Sequence, residues 1–252
     1  MSPAIPRILT LLLAACALVA GAARADTAAD ADALAEGLIS RMRAVAATTR
    51  DATFTFYKQE WVGGRLLPEE RMFVKQRYSG GLYMRWDGDV KHGRQILYNP
   101  GWNNNRMRVD PGPMLPNLDL DPRGSIARDG ERHSIFEVGP LVVVKLILAD
   151  KTVLDANPAL SVKITDLGAS TVYGEAARCL DMALPKASEP RLYAHRVVVC
   201  ANQRTGLPTR IEAWDDEAGA VRLVERYGYG DLRLNVGLTD QDFSPEHPDY
   251  GF

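Results

Sequence analysis

From Thr53 onward the chain alternates apolar and polar side chains with a period of two. Phe54 and Phe56 are interleaved with Thr53 and Thr55. Met72 and Val74 alternate with Arg71 and Lys75, Leu82, Met84 and Trp86 with Arg85 and Asp87, and Met107 and Val109 with Arg106, Arg108 and Asp110. Gly63-Gly64, Gly80-Gly81 and Asn99-Pro100-Gly101 punctuate these runs. Such alternation, broken at short intervals by turn residues, predicts an antiparallel meander with one wet face. It includes a strand over 94–99, and later strands are predicted over 160–166, 177–184, 192–201, 209–214, 221–229 and 232–236.

Two segments have a different period. Leu34, Leu38, Met42, Val45 and Ala46 recur at helical spacing within the Ala-rich stretch 26–50, predicting an amphipathic helix packed by one face. Pro140 suits a first helical position and opens a short helix over 141–150, against the β preference of its three valines. Residues 110–124, dense in Pro and Asp, read as loop. The tail 238–252 reads as extended and tied down by Phe243 and Tyr250. The expected fold class is therefore mainly β (α+β): about ten antiparallel strands in a strongly curved half-barrel, with helices over its concave face. That geometry leaves an apolar cavity. No linker or repeat divides residues 26–252, which read as one domain.

The first 25 residues stand apart. Ile8 to Ala23 carry no charge, Arg7 precedes them, and Ala23-Arg24-Ala25 follows; this grammar is that of a secretory signal peptide cleaved after Ala25. The run is too short to span a bilayer comfortably. Leu13-Ala14-Ala15-Cys16 also has the form of a lipobox, so a lipoprotein acylated at Cys16 is the alternative. The expected location is the periplasm. Among all 252 residues, 46% are hydrophobic and the net charge is −2, which excludes a disordered chain and disfavours a nucleic-acid binder. Without the leader, 28 basic face 32 acidic side chains, and no transmembrane span remains.

Export leaves two cysteines, Cys179 and Cys200, in a compartment that permits disulfides. A hairpin across the polar loop 185–190, in the register that sets Leu180 opposite Val199 and Met182 opposite Val197, puts the two cysteines directly opposite on the other face. A structural disulfide is expected.

Catalytic signatures are missing: the sequence has no G-x-S-x-G, P-loop, post-strand G-x-G-x-x-G or H-E-x-x-H. His92, His133, His195 and His247 are scattered and read as surface histidines; His133 and Glu137 come nearest to a metal pair. Glu69-Glu70 and Asp215-Asp216 read as solvated charge beside turns. Neither catalysis nor a metal or cofactor is expected. The positive signal is the apolar faces, which are rich in methionine, a side chain that adapts to irregular shapes. Phe54, Phe56, Met72, Val74, Leu82, Met84, Trp86, Met107, Val109, Leu180, Met182, Val197 and Val199 are the candidate lining of an acyl-chain pocket. A closed core beneath the helices would use the same residues. Glu60, Arg77, Arg85, Arg94 and Asp121 suggest a charge network bracing the sheet rim, with separate surface pairs as the simpler alternative.

A set of short motifs carries a resemblance: Gln59-Glu60, Gly64-Arg65, Lys75-Gln76-Arg77, 82–86, 93–98, Leu120-Asp121-Pro122, Arg132-His133, Glu137-Val138-Gly139, Gly206-Leu207-Pro208 and Asp242-Phe243. From about Asp51 to the C-terminus the chain resembles the exported bacterial proteins of domain-of-unknown-function family 1571. It departs from their pattern at Gly80-Gly81, where a proline and a bulkier residue are expected. The resemblance implies a LolA-like fold, as in periplasmic lipoprotein carriers and related stress sensors. The expected role is binding of a lipid, acyl chain or lipoprotein. The alternative is an envelope protein-interaction or sensor module without a ligand cavity, with 110–124 as its contact loop.

Overall fold

The computed structural model describes residues 28–252; the expected cleavage site after Ala25 and the alternative acylation site at Cys16 lie outside them. Helix α1 (Ala28–Thr48) leads into β1 (Asp51–Val62), followed by β2 (Arg65–Leu66), β3 (Glu70–Arg77), β4 (Gly81–Trp86), β5 (Gln95–Tyr98), β6 (Met107–Asp110) and β7 (Leu118–Leu120). Helix α2 (Pro140–Asp155) separates these from β8 (Lys163–Val172), β9 (Glu175–Ala183), β10 (Arg196–Asn202), β11 (Pro208–Glu217) and β12 (Ala220–Leu234).

Each half is a meander of sequential neighbours. The two join where β1 pairs with β12, giving the order β7-β6-β5-β4-β3-β1-β12-β11-β10-β9-β8, with β2 on the end of β1. All the pairings are antiparallel. Register shifts between Thr53 and Thr55, Asp166 and Gly168, Cys200 and Ala201, and Ala213 and Trp214 bend the sheet, as bulges do. The result is an unclosed, curved antiparallel sheet with helices on one face, the expected fold class.

The alternation places Phe54, Phe56, Met72, Val74, Met84 and Trp86 in one concave core, onto which Met42 of α1 and Val143 and Val144 of α2 pack. Pro140 occupies the start of α2, as its fixed φ favours. On the opposite face Cys179 and Cys200 are bonded and pack with Val172 and Ala177. Their strands are in the expected register, with Leu180 opposite Val199 and Met182 opposite Val197.

Three expectations are corrected. The segments 221–229 and 232–236 form one strand, because Asp231, at φ 51°, is accommodated as a bulge against β1. The region 110–124 contains β7, which pairs with β6. The first meander does not keep a wet outer face. Residues of β4 and β5 are buried on both sides, since the tail crosses them: Phe243 packs with Tyr83 and Leu97, and the Tyr250 ring stacks 3.7 Å from Tyr83. This explains the departure at Gly80-Gly81. A Cβ on Gly81 would lie 2.9 Å from the Phe243 ring, and the Pro100 ring fills the space beside Gly80.

Candidate functional site

The concave face is not filled. Apolar-lined openings sit in each half of the sheet.

The first, about 230 Å³, is floored by Phe56, Met72, Met84, Trp86, Met107 and Val109 from β1, β3, β4 and β6, with Leu118 and Leu120 of β7 at one side. Residues between Ile126 and Val138 close it from above. The second, about 420 Å³, lies between the helices and the β8 edge. Ala35 and Ile39 of α1, Leu146, Ile147 and Leu154 of α2, and Ile164, Met182, Val197 and Ile211 from the sheet line it. A smaller opening of about 70 Å³ shares His133, Glu137 and Tyr227 with the first and Leu146, Tyr193 and Ile211 with the second.

A polar septum crosses the concave face at that junction. Glu225, 5% exposed, accepts from His133 Nε2 at 2.9 Å, from Arg132 Nε at 3.2 Å and from the Tyr193 hydroxyl. Glu60, 3% exposed, accepts from the Tyr227 hydroxyl at 2.6 Å and the Arg132 backbone N–H at 3.0 Å. Lys58 lies against Glu131, 3.5 Å from Glu70 and 3.7 Å from Glu60. Glu70 also accepts from Trp86 Nε1 at 2.5 Å and from Lys91 at 3.0 Å. Through Glu131, Arg132 and His133, these contacts pin the roof segment to the sheet.

Burial and pairing oppose each other at these groups. Desolvation pulls the Lys58 ammonium down, but the carboxylates of Glu60, Glu131 and Glu70 outweigh it and its pKa is raised. Desolvation pushes Glu70 up, yet Lys58 and Lys91 hold it below the ordinary value. Burial likewise raises Glu225 and is outweighed by His133, Tyr193 and Arg132. His133 is held at about 9: burial lowers it, and Glu225 and then Glu137 more than compensate.

The candidate lining divides three ways. Phe56, Met72, Met84, Trp86, Met107 and Val109 face the first cavity, and Met182 and Val197 face the second. Phe54, Val74, Leu82, Leu180 and Val199 are buried but border neither; they are packed wall.

His133 and Glu70 correct their sequence readings as surface histidine and solvated carboxylate, because partners distant in the chain enclose them. The charges expected to brace the rim do not form one network. Glu60 belongs to the septum, Arg77 pairs with Asp240 at 2.6 Å, and Arg85 lies over Phe73. Asp121 caps the Arg123 backbone, and Arg94 has no carboxylate partner within 4.0 Å among the described residues. Away from the cavities, His195, Asp215 and Asp216 bring ligand atoms within 4.8 Å of one another. Asp215 is also engaged by the Lys186 ammonium, so one of these carboxylates already has a counter-ion. The functional residues that the sequence reading missed are Lys58, Glu131, Tyr193, Glu225 and Tyr227.

A family model described as "Protein of unknown function (DUF1571)" matches residues 49–252, in agreement with the resemblance read from the motifs. No curated protein matches the chain. Among solved structures, it is similar to the lipoprotein LppX of Mycobacterium tuberculosis, at 11% identity and TM-score 0.47 over 82% of this chain and 98% of that one. It is also similar to a LolA superfamily protein of Nitrosomonas europaea, at 12% identity and TM-score 0.34 over 83% and 97%. MucB of Pseudomonas aeruginosa, solved in complex with MucA, is similar at 14% identity and TM-score 0.42 over 83% and 60%. The strand order and the burial pattern of this chain themselves define the curved, unclosed sheet. Among the described residues no helix is long and apolar enough to cross a membrane.

Proposed function

The chain belongs to the DUF1571 family, and we propose that it is a non-enzymatic periplasmic protein that binds the apolar part of a lipid, acyl chain or lipoprotein on the concave face of its half-barrel. One observation carries this reading: the concave face holds apolar-lined clefts of about 230 and 420 Å³, one roofed by a loop and one by the helices. The larger lies within the range of about 300–1,000 Å³ typical of ligand sites.

Binding draws on apolar burial, about 0.8 kcal/mol for each CH₂ removed from water. Methionines on the walls of both cavities adapt to chains of different shape. Titration of the delipidated protein with a fluorescent fatty acid tests the proposal. Saturable binding that is weakened by Met84→Asp or Met182→Asp is the expected result. Absence of saturable binding, or binding to which both variants are indifferent, contradicts it.

A further inference from the structure

Three cationic side chains line the first cavity: Lys58, Arg94 and His133. Lys58 has the carboxylates of Glu60, Glu70 and Glu131, and His133 has those of Glu225 and Glu137. Arg94 stands differently. It is half-buried, its Nε is enclosed with no hydrogen-bond partner, and among the described residues no carboxylate oxygen comes within 4.0 Å. Its guanidinium lies 5.9 Å from the centre of the Trp86 ring.

The cavity's own carboxylates are committed elsewhere. Glu60 and Glu131 hold Lys58, Glu137 accepts from His133 and from the Ser134 backbone and hydroxyl, and Asp129 is exposed. The backbone of Arg94 is fixed as well: its N–H donates to the Lys91 carbonyl at 3.0 Å and its carbonyl accepts from the Trp86 N–H at 2.9 Å. The Arg94 Nε donor, shut off beside an apolar floor, is left for an acceptor that the described residues do not supply. A planar fork of donors is also the geometry that suits carboxylate and phosphate oxygens.

We propose that Arg94 receives the anionic head, carboxylate or phosphate, of a single-chain amphiphile whose alkyl chain lies on Met72, Met84 and Met107. The inference rests on the chain-binding role proposed above and names its ligand class. A single chain fits the volume of about 230 Å³, which lies below the range of about 300–1,000 Å³ for larger ligands. Exposed Leu118 and Ile126 extend the apolar wall outward to the mouth.

The test compares decanoate, decyl phosphate, 1-decanol and inorganic phosphate by calorimetry on the delipidated protein, with R94Q and R94K beside the parent. Methionine methyl NMR locates each ligand, because Met72, Met84 and Met107 face this cavity and Met182 the other. Both decyl anions are expected to bind the parent about ten- to a hundredfold more tightly than decanol, the range of a charge-assisted hydrogen bond, and to shift the three floor methyls. R94Q should reduce the anions to the level of decanol and leave decanol binding and the thermal midpoint unchanged; R94K should restore part of the difference. Tighter binding of decanoate assigns a free fatty acid, and tighter binding of decyl phosphate assigns a phospholipid-type head.

Equal affinity for decanoate and decanol, or an anion preference that survives in R94Q, overturns the headgroup site. With the methyl shifts retained, either result leaves the chain-binding role intact. Inorganic phosphate binding as tightly as decyl phosphate overturns the amphiphile, and shifts confined to Met182 move the ligand away from Arg94. If none of the decyl compounds binds saturably, both the headgroup site and the chain-binding role fall.

Discussion

The two halves of the concave face use the same strand periodicity but treat charge in opposite ways. In the half formed by β8–β11 and the helices, most ionisable groups that line the cavity stand at its mouth, and half-buried Asp150 accepts the Tyr193 N–H. Lys151 bridges Glu36 and Asp155, both more than half exposed. In the half formed by β1 and β3–β7, the roof is a loop, and Lys58, Glu60 and Glu70, with Glu225 of the adjoining β12, lie almost wholly inside. A helix satisfies its backbone internally and can cover a sheet with apolar side chains alone. An irregular roof instead brings backbone polar groups over the sheet, where they need partners. Arg132 illustrates the consequence, with its N–H on Glu60 and its guanidinium on Glu225, Glu217 and the Trp61 carbonyl. One cavity is therefore lidded by packing and the other by pairing.

That contrast is broken most severely by removing a buried cation. Lys58→Met leaves three carboxylates around an uncharged side chain, with Lys91 still reaching two of them, and is expected to cost about 3–5 kcal/mol in urea unfolding. A loss below about 1 kcal/mol would mean that the roof is not held by pairing.

Loss of the disulfide probes the helix-covered half from outside. It closes a separation of 21 residues, and Cys179→Ala with Cys200→Ala is expected to cost about 2–4 kcal/mol. Fatty-acid binding should be unchanged, because the bridge lies on the opposite face from the cavities. A marked loss of binding in the still-folded double variant would connect that face to the site.

His133 tests the septum by pH. Its folded pKa, about 9, exceeds the unfolded value of about 6.5, so its contribution is fully present below about pH 6.5 and is lost as pH rises through 9. Glu70 and Glu225 are depressed, so their contributions are present above the ordinary carboxylate pKa and are lost on acidification. Stability of the parent should fall between pH 6.5 and 9 by at most roughly 3 kcal/mol, and His133→Gln should flatten that slope. Parallel slopes in the two proteins would remove His133 from the account.

The smallest effect is expected at the other cavity. Lys151→Met breaks only exposed pairs and should change stability by less than about 1 kcal/mol. A loss comparable to that of Lys58→Met would erase the distinction between the halves.

What was legible in the sequence follows from distance along the chain. The Cys179–Cys200 register belongs to a single hairpin, and the apolar faces of β3, β4 and β6 are set by alternation within each strand, so local pattern sufficed. The septum was not legible. Lys58 meets a residue 73 positions away, His133 one 92 away, and Tyr227 one 167 away, and nothing local marks these groups as buried. Glu70 follows Glu69 beside a turn, as solvated charge does, yet Glu69 is exposed ahead of β3 while Glu70 begins the strand and enters the cluster. Gly230 and Asp231, turn formers by type, stand between the segments 221–229 and 232–236, yet pairing with β1 carries them through as a bulge. The candidate lining identified a face, not a cavity, since core and pocket walls share one alternation.

Crystals of the delipidated protein soaked with a fatty acid brominated along its chain reveal whether an alkyl chain occupies the concave face. Anomalous bromine peaks against Met72, Met84 and Met107, or beneath the helices against Ile39, Leu146 and Met182, are the predicted result. Saturating ligand with ordered bromine only on the outer face would contradict the account.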